Sequence, residues 1–158
     1  MSREQPSGRG RNCFACGGDN ERGLHMVFRR EGDRTVCDYI PLEYQQGYPG
    51  RMHGGVVATL IDDAMGWAIY HAGAWGATAR LSLRYRKPVP LDENLRIEAW
   101  VVSNRSRLIE ARAELRDSRG TLLAEAESSF MKLDEPLASA MNALAAPTEQ
   151  ANAGESVT

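Results

Sequence analysis

Residues 51–66 read RMHGGVVATLIDDAMG, in which a His-Gly-Gly turn runs directly into an apolar helix. The apolar positions recur at helical spacing: Val57, Leu60, Ile61, Ala64, Met65, Ala68 and Ile69. We predict a helix from Gly54 to His71, with Gly73 as its C-cap. No second helix of this quality precedes the C-terminal tail, so the pattern predicts a sheet wrapped around one buried helix.

The segments that flank this helix have strand patterns, and those after it alternate cleanly between apolar and polar residues. The predicted strands are Leu24–Arg30, Thr35–Ile40, 78–86, 95–102, 109–116 and 122–131. In the strand after the helix, one face carries Ala79, Leu81, Leu83 and Tyr85, and the other carries Thr78, Arg80, Ser82, Arg84 and Arg86. Such strands form an antiparallel sheet with one solvated face, and the helix covers the other, which is an α+β fold.

The composition is that of a single domain, because 158 residues with 42% hydrophobic content can bury one core. We place the domain at 12–134, between a disordered arm (1–11) and a flexible tail (135–158) that holds a possible short helix at 137–145. A net charge of −2 argues against nucleic-acid binding, and no apolar run is long enough for a membrane span. The arm lacks the apolar core of a signal peptide, which favours a cytoplasmic location.

Two of the three cysteines form a CxxC motif at Cys13 and Cys16. This motif is half of a zinc site or a redox pair, but zinc needs two further ligands and no second CxxC exists. His25 and Cys37 stand at an unusual spacing for that purpose. We therefore expect reduced cysteines in a tight turn packed on the domain, and no metal.

The start of the helix offers a site for a ligand oxygen. The first N–H groups of a helix lack intrahelical partners and lie at its positive end. Gly54 and Gly55 have no side chain to block an approaching oxygen, and an oxygen that gains negative charge would be stabilised there. Taken alone, the two glycines fit a simple tight turn equally well.

Asp62 gives the helix a possible reactive group. It shares a helical face with small or apolar residues, namely Gly55, Ala58, Gly66 and Ile69, and a carboxylate there could act as general base or nucleophile. Its neighbour Asp63 is predicted to lie on a solvated face. Gly54 and Asp62 are about 12 Å apart along the helix axis, too far for one reacting centre. If both serve one substrate, one of them comes from a second copy of the chain.

His53-Gly54-Gly55 followed by Asp62 resembles the signature of hotdog-fold acyl-CoA thioesterases, specifically the phenylacetate-pathway (PaaI-type) branch, over approximately Cys13 to Leu133. The resemblance implies a hotdog fold, hydrolysis of an acyl-CoA without a cofactor, and a homodimer or dimer of dimers. It implies that Gly54 N–H polarises the thioester carbonyl and that Asp62 of the opposite subunit attacks or activates water. Thr78 takes the place of an assisting hydroxyl.

Two other positions bear on this resemblance. A Cys-Phe-x-Cys-Gly opening, here at Cys13, occurs in one sub-branch of the family. Several members carry Asn six residues before the His, where this chain has Gly47, preceded by Gln45 and Gln46.

Substrate binding is assigned to residues around the helix start and at the end of the following strand: His53, Gly55, Gln46, Arg84, Arg86 and Lys87. The three basic residues suit the phosphates of coenzyme A, although an ordinary charged strand face has the same composition. Three alternatives stay open: a hotdog protein that binds an acyl-CoA or small acyl ligand without hydrolysis, a hotdog hydratase or dehydratase, and a structural oligomer module.

Overall fold

A single antiparallel sheet and two α-helices make up the part of the chain that the computed structural model describes, residues 12–145. The elements, in chain order, are β1 (Arg29–Glu31), β2 (Arg34–Tyr39), a one-turn 3-10 helix (Glu43–Gln45), α1 (Gly54–His71), β3 (Gly76–Tyr85), β4 (Leu95–Asn104), β5 (Leu108–Arg116), β6 (Leu122–Lys132) and α2 (Glu135–Ala145). The strands are ordered β1-β2-β4-β5-β6-β3, and every neighbouring pair is antiparallel. The predicted hotdog arrangement, a sheet wrapped on one long helix, is confirmed.

Helix α1 packs its apolar side against the inner face of the sheet. Leu60, Ile61 and Ala64 are fully buried there, opposite inner-face residues such as Ile97 and Leu115. Each large aliphatic side chain removed from water in this way contributes about 1.5–3 kcal/mol. The predicted end of the helix is also confirmed, because Gly73 adopts a φ of +86° just beyond it.

The predicted first strand is shorter in the structure. Regular pairing begins at Arg29, and residues 24–28 are not in a strand. The reason is that Leu24 and Met26 donate their backbone N–H groups to the carbonyls of Phe14 and Ala15, at 2.8 and 2.9 Å. The segment therefore pairs with the cysteine-containing turn and not with a neighbouring strand.

The predicted facing of Thr78 is wrong, because a bulge interrupts β3. Thr78 pairs with Phe130 while Arg80 pairs with the next residue, Ser129, so one extra residue of β3 is accommodated between them. The insertion moves Thr78 to the inner face, shared with buried Phe130, while Arg80 stays on the outer face. A strictly alternating pattern had placed both residues on the same outer face.

Beyond β6, the possible short helix at 137–145 is present as α2, so that part of the predicted flexible tail is helical. The Trp75 indole N–H donates to Asn142 at 2.8 Å, which ties α2 to the domain. The predicted arm (1–11) and the rest of the tail (146–158) lie outside the described residues.

Within residues 12–145, neither helix is long and apolar enough to cross a membrane. The cytoplasmic location stays a prediction.

Candidate active site

The start of α1 presents one backbone donor. His53 is the N-cap, and its Nδ1 accepts a hydrogen bond from Gly55 N–H at 3.0 Å. The His53 carbonyl accepts from Val56 and Val57 at 2.9 and 3.1 Å. Among the described residues, none accepts the Gly54 N–H. This donor, at the positive end of the helix, is therefore left for a ligand oxygen.

The same hydrogen bond defines the role of the His53 imidazole. Because Nδ1 accepts from Gly55, a neutral ring carries its proton on Nε2. His53 and Gly55 thus build the turn that presents the neighbouring N–H.

A groove of about 410 Å³ opens in front of this donor. Gly54, Tyr48, Arg51, Tyr85 and Lys87 are among the residues that line it. The Tyr85 hydroxyl donates to the Gly54 carbonyl at 2.6 Å, so the tyrosine ring forms one wall beside the glycine. Tyr48, Arg51 and Tyr85 were not among the predicted site residues. Tyr85 could have been found, since it continues the inner-face alternation of Leu81 and Leu83.

The three predicted phosphate ligands lie in different surroundings. Lys87 lines the groove. Arg86 also lines it, but its guanidinium forms an ion pair with Glu125. Arg84 lies on the outer face of the sheet, where it borders a separate cavity beside Trp100. The structure thus brings Lys87 and Arg86 to the helix start, and does not bring Arg84 there.

The loop before the helix is held by its two glutamines. Gln46, a predicted substrate ligand, accepts the Gly50 N–H on its Oε1 at 2.8 Å, which closes the loop. Gln45 is buried, and its Nε2 donates to the Tyr39 hydroxyl at 2.6 Å. The Gln45 backbone carbonyl accepts the His53 backbone N–H at 2.8 Å, so the loop is hydrogen-bonded directly to the N-cap residue of α1.

Gly47 is explained by this close packing. A Cβ at position 47 would lie 3.1 Å from His53 Cα, tighter than ordinary van der Waals contact. An asparagine here would press on the N-cap of α1, so the loop geometry of this chain favours glycine at position 47.

Asp62 lies two turns further along α1 than Gly54, next to the edge strand β3. The Thr78 hydroxyl donates to Asp62 Oδ1 at 2.9 Å, which is the contact that the bulge in β3 makes possible. Burial raises the pKa of Asp62 above its ordinary value, and the hydrogen bond from Thr78 partly offsets this rise. The pair is a fixed, half-buried carboxylate with a raised pKa, suited to accept a proton or to attack a carbonyl.

The groove and this carboxylate are separate within one chain. Gly54 and Asp62 stand on the same rigid helix, about 12 Å apart along its axis. Neither Asp62 nor Thr78 lines the groove. Each chain therefore carries two parts of a possible site that do not meet on that chain.

Asp63 was predicted to lie on a solvated face, and that prediction is wrong. It is half-buried, and its carboxylate lies within 4.8 Å of both Cys13 Sγ and Cys16 Sγ. The cause is the turn at residues 13–17, which packs on the side of α1 that the sequence pattern leaves polar.

A six-stranded antiparallel sheet wrapped on one long helix defines the hotdog fold. The open N–H at the helix start and the carboxylate two turns further on stand at the positions that the resemblance to hotdog thioesterases implies. The family model of the thioesterase superfamily matches residues 49–124. Acyl-coenzyme A thioesterase THEM4 of Bos taurus is 34% identical over 124 residues, 77% of this chain and 51% of that protein. Its Xenopus laevis counterpart is 34% identical over 110 residues, 68% of this chain and 49% of that protein.

A solved structure agrees. The crystal structure of a thioesterase superfamily protein superimposes with a TM-score of 0.74 at 30% identity, covering 82% of this chain and 66% of that one. This chain spans about half the length of the curated relatives it matches. It belongs to the thioesterase superfamily.

Proposed function

We propose that this protein hydrolyses acyl-CoA thioesters to a free acid and coenzyme A. The observation that carries the proposal is the Gly54 N–H, which no described residue accepts, at the start of α1 and in the wall of a groove. Such a donor stabilises the oxygen of a thioester carbonyl as it becomes negative, and removing comparable donors in other enzymes costs about 10²–10³ in rate. The relatives described above are acyl-CoA thioesterases, which supports this substrate class.

The chemistry needs a second group, and Asp62 supplies it. Its carboxylate either attacks the carbonyl carbon or takes a proton from the water that does so. In the route through water, the carbon–sulfur bond breaks and the proton taken from water passes to the coenzyme A thiolate. In the route of direct attack, the thiolate leaves as an acyl–Asp62 anhydride forms; water then hydrolyses the anhydride, which releases the acid, regenerates the carboxylate and supplies the proton for the thiolate. Thr78 orients the Asp62 carboxylate through its hydrogen bond. The same hydrogen bond lowers the pKa of Asp62 and so favours the ionised form that the reaction needs.

A second copy of the chain would bring the two groups together. Strand β3 forms one edge of the sheet and is ten residues long. Its inner-face residue Thr78 is exposed, and Leu81 and Leu83 are half-buried. On the central strands, by contrast, inner-face residues such as Ile97 and Ile109 are fully buried. Long unpaired edges in natural proteins are normally covered. We propose that a partner chain covers β3, so that Asp62 of one chain faces Gly54 of the other in a homodimer; a dimer of dimers stays a prediction.

The coenzyme A portion is assigned to the basic side of the groove. Lys87 and Arg51 line it and are exposed, so their charges can meet the phosphates of coenzyme A. Arg86 would first have to leave Glu125. Arg84 and Gln46 have no contact that places them in this role. Tyr48, exposed over 84% of its surface, offers a ring to the apolar or adenine part of the ligand.

The first experiment is a free-thiol assay of the full chain with a panel of short, long and aromatic acyl-CoAs. We expect thiol release with at least one of them. Binding of an acyl-CoA without thiol release would replace the proposal with a carrier function. Hydration of an enoyl-CoA without thioester cleavage would replace it with a hydratase.

The second experiment tests the shared site by mixing two inactive variants, Asp62→Asn and Gly54→Pro, after separate purification and joint refolding. In a mixed dimer, one site combines the intact Gly54 of one chain with the intact Asp62 of the other. Random pairing should restore about a quarter of the wild-type activity. If the mixture stays inactive although mass spectrometry detects mixed dimers, the site is not shared between chains.

A further inference from the structure

Three metal-binding groups meet where the N-terminal turn packs on α1. The sulfur atoms of Cys13 and Cys16 and a carboxylate oxygen of Asp63 all lie within 4.8 Å of one another. Cys16 is buried, Cys13 and Asp63 are half-buried, and Asp63 Oδ2 is inaccessible to solvent. The proposed hydrolysis uses none of these groups.

The backbone holds both thiols on the helix side of the turn. Gly17 N–H donates to the Cys13 carbonyl at 3.0 Å, which closes the turn around the CxxC motif. Residues 24–26 then pair with the carbonyls of residues 14 and 15, between the two cysteines. The donor atoms are thus positioned by main-chain hydrogen bonds on one segment and by the rigid helix on the other.

The charges around Cys16 suit a bound cation. Cys16 is buried beside Cys13 and Asp63, and the Trp67 side chain forms a hydrogen bond with it. Two thiolates and a carboxylate would repel one another at this distance, and a divalent cation would remove that repulsion. An N–H donor beside the sulfur is a common feature around metal-bound thiolates, where it stabilises their charge.

The geometry also fits a particular metal. Zinc binds thiolate sulfur at about 2.3 Å and carboxylate oxygen at about 2.0–2.2 Å, so donors around one tetrahedral ion stand about 3.5–4 Å apart. The cluster is compact enough for this arrangement with small side-chain adjustments. Thiolate ligands select zinc over magnesium or calcium.

We propose that Cys13, Cys16 and Asp63 bind one Zn²⁺, with a water molecule as the fourth ligand on the exposed side of Cys13. The ion fastens the turn at residues 13–17 to the middle of α1. This revises the expectation of no metal, which rested on a motif with two ligands. The fold supplies the third ligand from a residue 47 positions further along the chain, and the proposal does not depend on the proposed hydrolysis.

The test is a Co²⁺ titration of the full chain, stripped with a chelator and kept reduced. We expect one Co²⁺ per chain, a thiolate-to-cobalt charge-transfer band, tetrahedral d–d bands, and displacement by Zn²⁺. Absence of the charge-transfer band would overturn the proposal. So would a Cys13–Cys16 disulfide in place of metal in the protein purified under reducing conditions.

Variants assign the ligands. Replacing both cysteines (Cys13→Ser with Cys16→Ser) should abolish the charge-transfer band, and Asp63→Asn, which keeps the side-chain shape, should weaken Co²⁺ binding at least about tenfold. Asp62→Asn is the matched control one residue away, and Cys37→Ser is the control for a buried thiol outside the cluster; both should bind Co²⁺ like the wild type. Circular dichroism checks folding. If the double variant does not fold, the Asp63 and Asp62 pair decides, and equal Co²⁺ affinity in these two variants would contradict the proposal.

Discussion

The two sides of helix α1 carry the same side chain in different surroundings. Asp62 and Asp63 are adjacent, so their side chains point about 100° apart around the helix. Asp62 meets a threonine hydroxyl on the exposed edge strand, whereas Asp63 meets two thiols on the N-terminal turn. The edge side is left open for a second molecule, and the turn side is closed by the chain itself. What each carboxylate can do is decided by the segment packed against it and not by the helix.

Asp62→Asn is expected to have the largest effect. The amide can neither attack a thioester nor take a proton, so we expect acyl-CoA hydrolysis to fall by about 10²–10⁴. The measurement is kcat/KM in the free-thiol assay. The control is Asp33→Asn, a carboxylate on the exposed turn between β1 and β2, which should keep wild-type activity. Undiminished hydrolysis in Asp62→Asn would remove Asp62 from the mechanism.

The thermal stability of Asp62→Asn distinguishes a catalytic role of the Asp62 carboxylate from a structural role. The folded-state pKa of Asp62 is raised, so the folded chain binds its proton more tightly than the unfolded chain. The ionised carboxylate therefore opposes folding at neutral pH, and this cost disappears as the pH falls through the raised pKa. Asp62→Asn should melt at the same temperature as the wild type or higher at pH 7. A clear loss of stability would indicate a structural role instead.

The next largest effect is expected from Gly54→Pro, which removes the backbone N–H at the start of α1. Proline has no N–H, yet it is favoured at the first position of a helix, and His53 already has the extended φ and ψ (−63° and 134°) that a following proline requires. We expect the fold to persist and hydrolysis to fall by about 10²–10³. Gly54→Ala is the matched variant because it keeps the N–H, and its Cβ would make ordinary contact with Tyr85 at 3.4 Å. Equal activities of the two variants would show that the N–H is not used.

The sequence was sufficient for the parts of this site that lie on one regular element. The helix bounds, its glycine C-cap and the spacing of Gly54 and Asp62 follow from periodicity and local turn chemistry. The side of the sheet on which Thr78 lies did not follow. A bulge depends on how β3 pairs with β6, far along the chain, and the apolar and polar alternation of β3 does not reveal it. The surroundings of Asp63 did not follow either, because they depend on where a non-repetitive turn packs. Two features of the predicted phosphate ligands belong to this second group, namely that Arg84 does not line the groove and that Arg86 pairs with Glu125, because both depend on how β3 lies against the rest of the fold.

Thr78→Ala leaves Asp62 without its hydroxyl partner. The hydrogen bond lowers the pKa of Asp62, so its loss should raise that pKa further. Since the reaction needs the ionised carboxylate, the acidic limb of the pH profile of kcat/KM should move to higher pH. At mildly acidic pH we expect a loss of up to about tenfold, shrinking as the pH rises. Thr78→Ser, which keeps the hydroxyl, should restore the wild-type profile; an unshifted limb in Thr78→Ala would mean that Asp62 does not control it.

The smallest effect is expected at the start of the helix, from Tyr85→Phe. This change removes the hydrogen bond to the Gly54 carbonyl but keeps the ring that forms the wall of the groove. Because Tyr85 is half exposed, the loss should be about 0.5–1 kcal/mol in the free energy of unfolding, measured by urea denaturation. The Gly54 N–H is untouched, so kcat should change little, while KM rises if the ring shifts. A fall in kcat as large as that of Gly54→Pro would mean that the phenol itself contacts the reacting group, and the division of roles between the two sides of α1 would then have to include Tyr85.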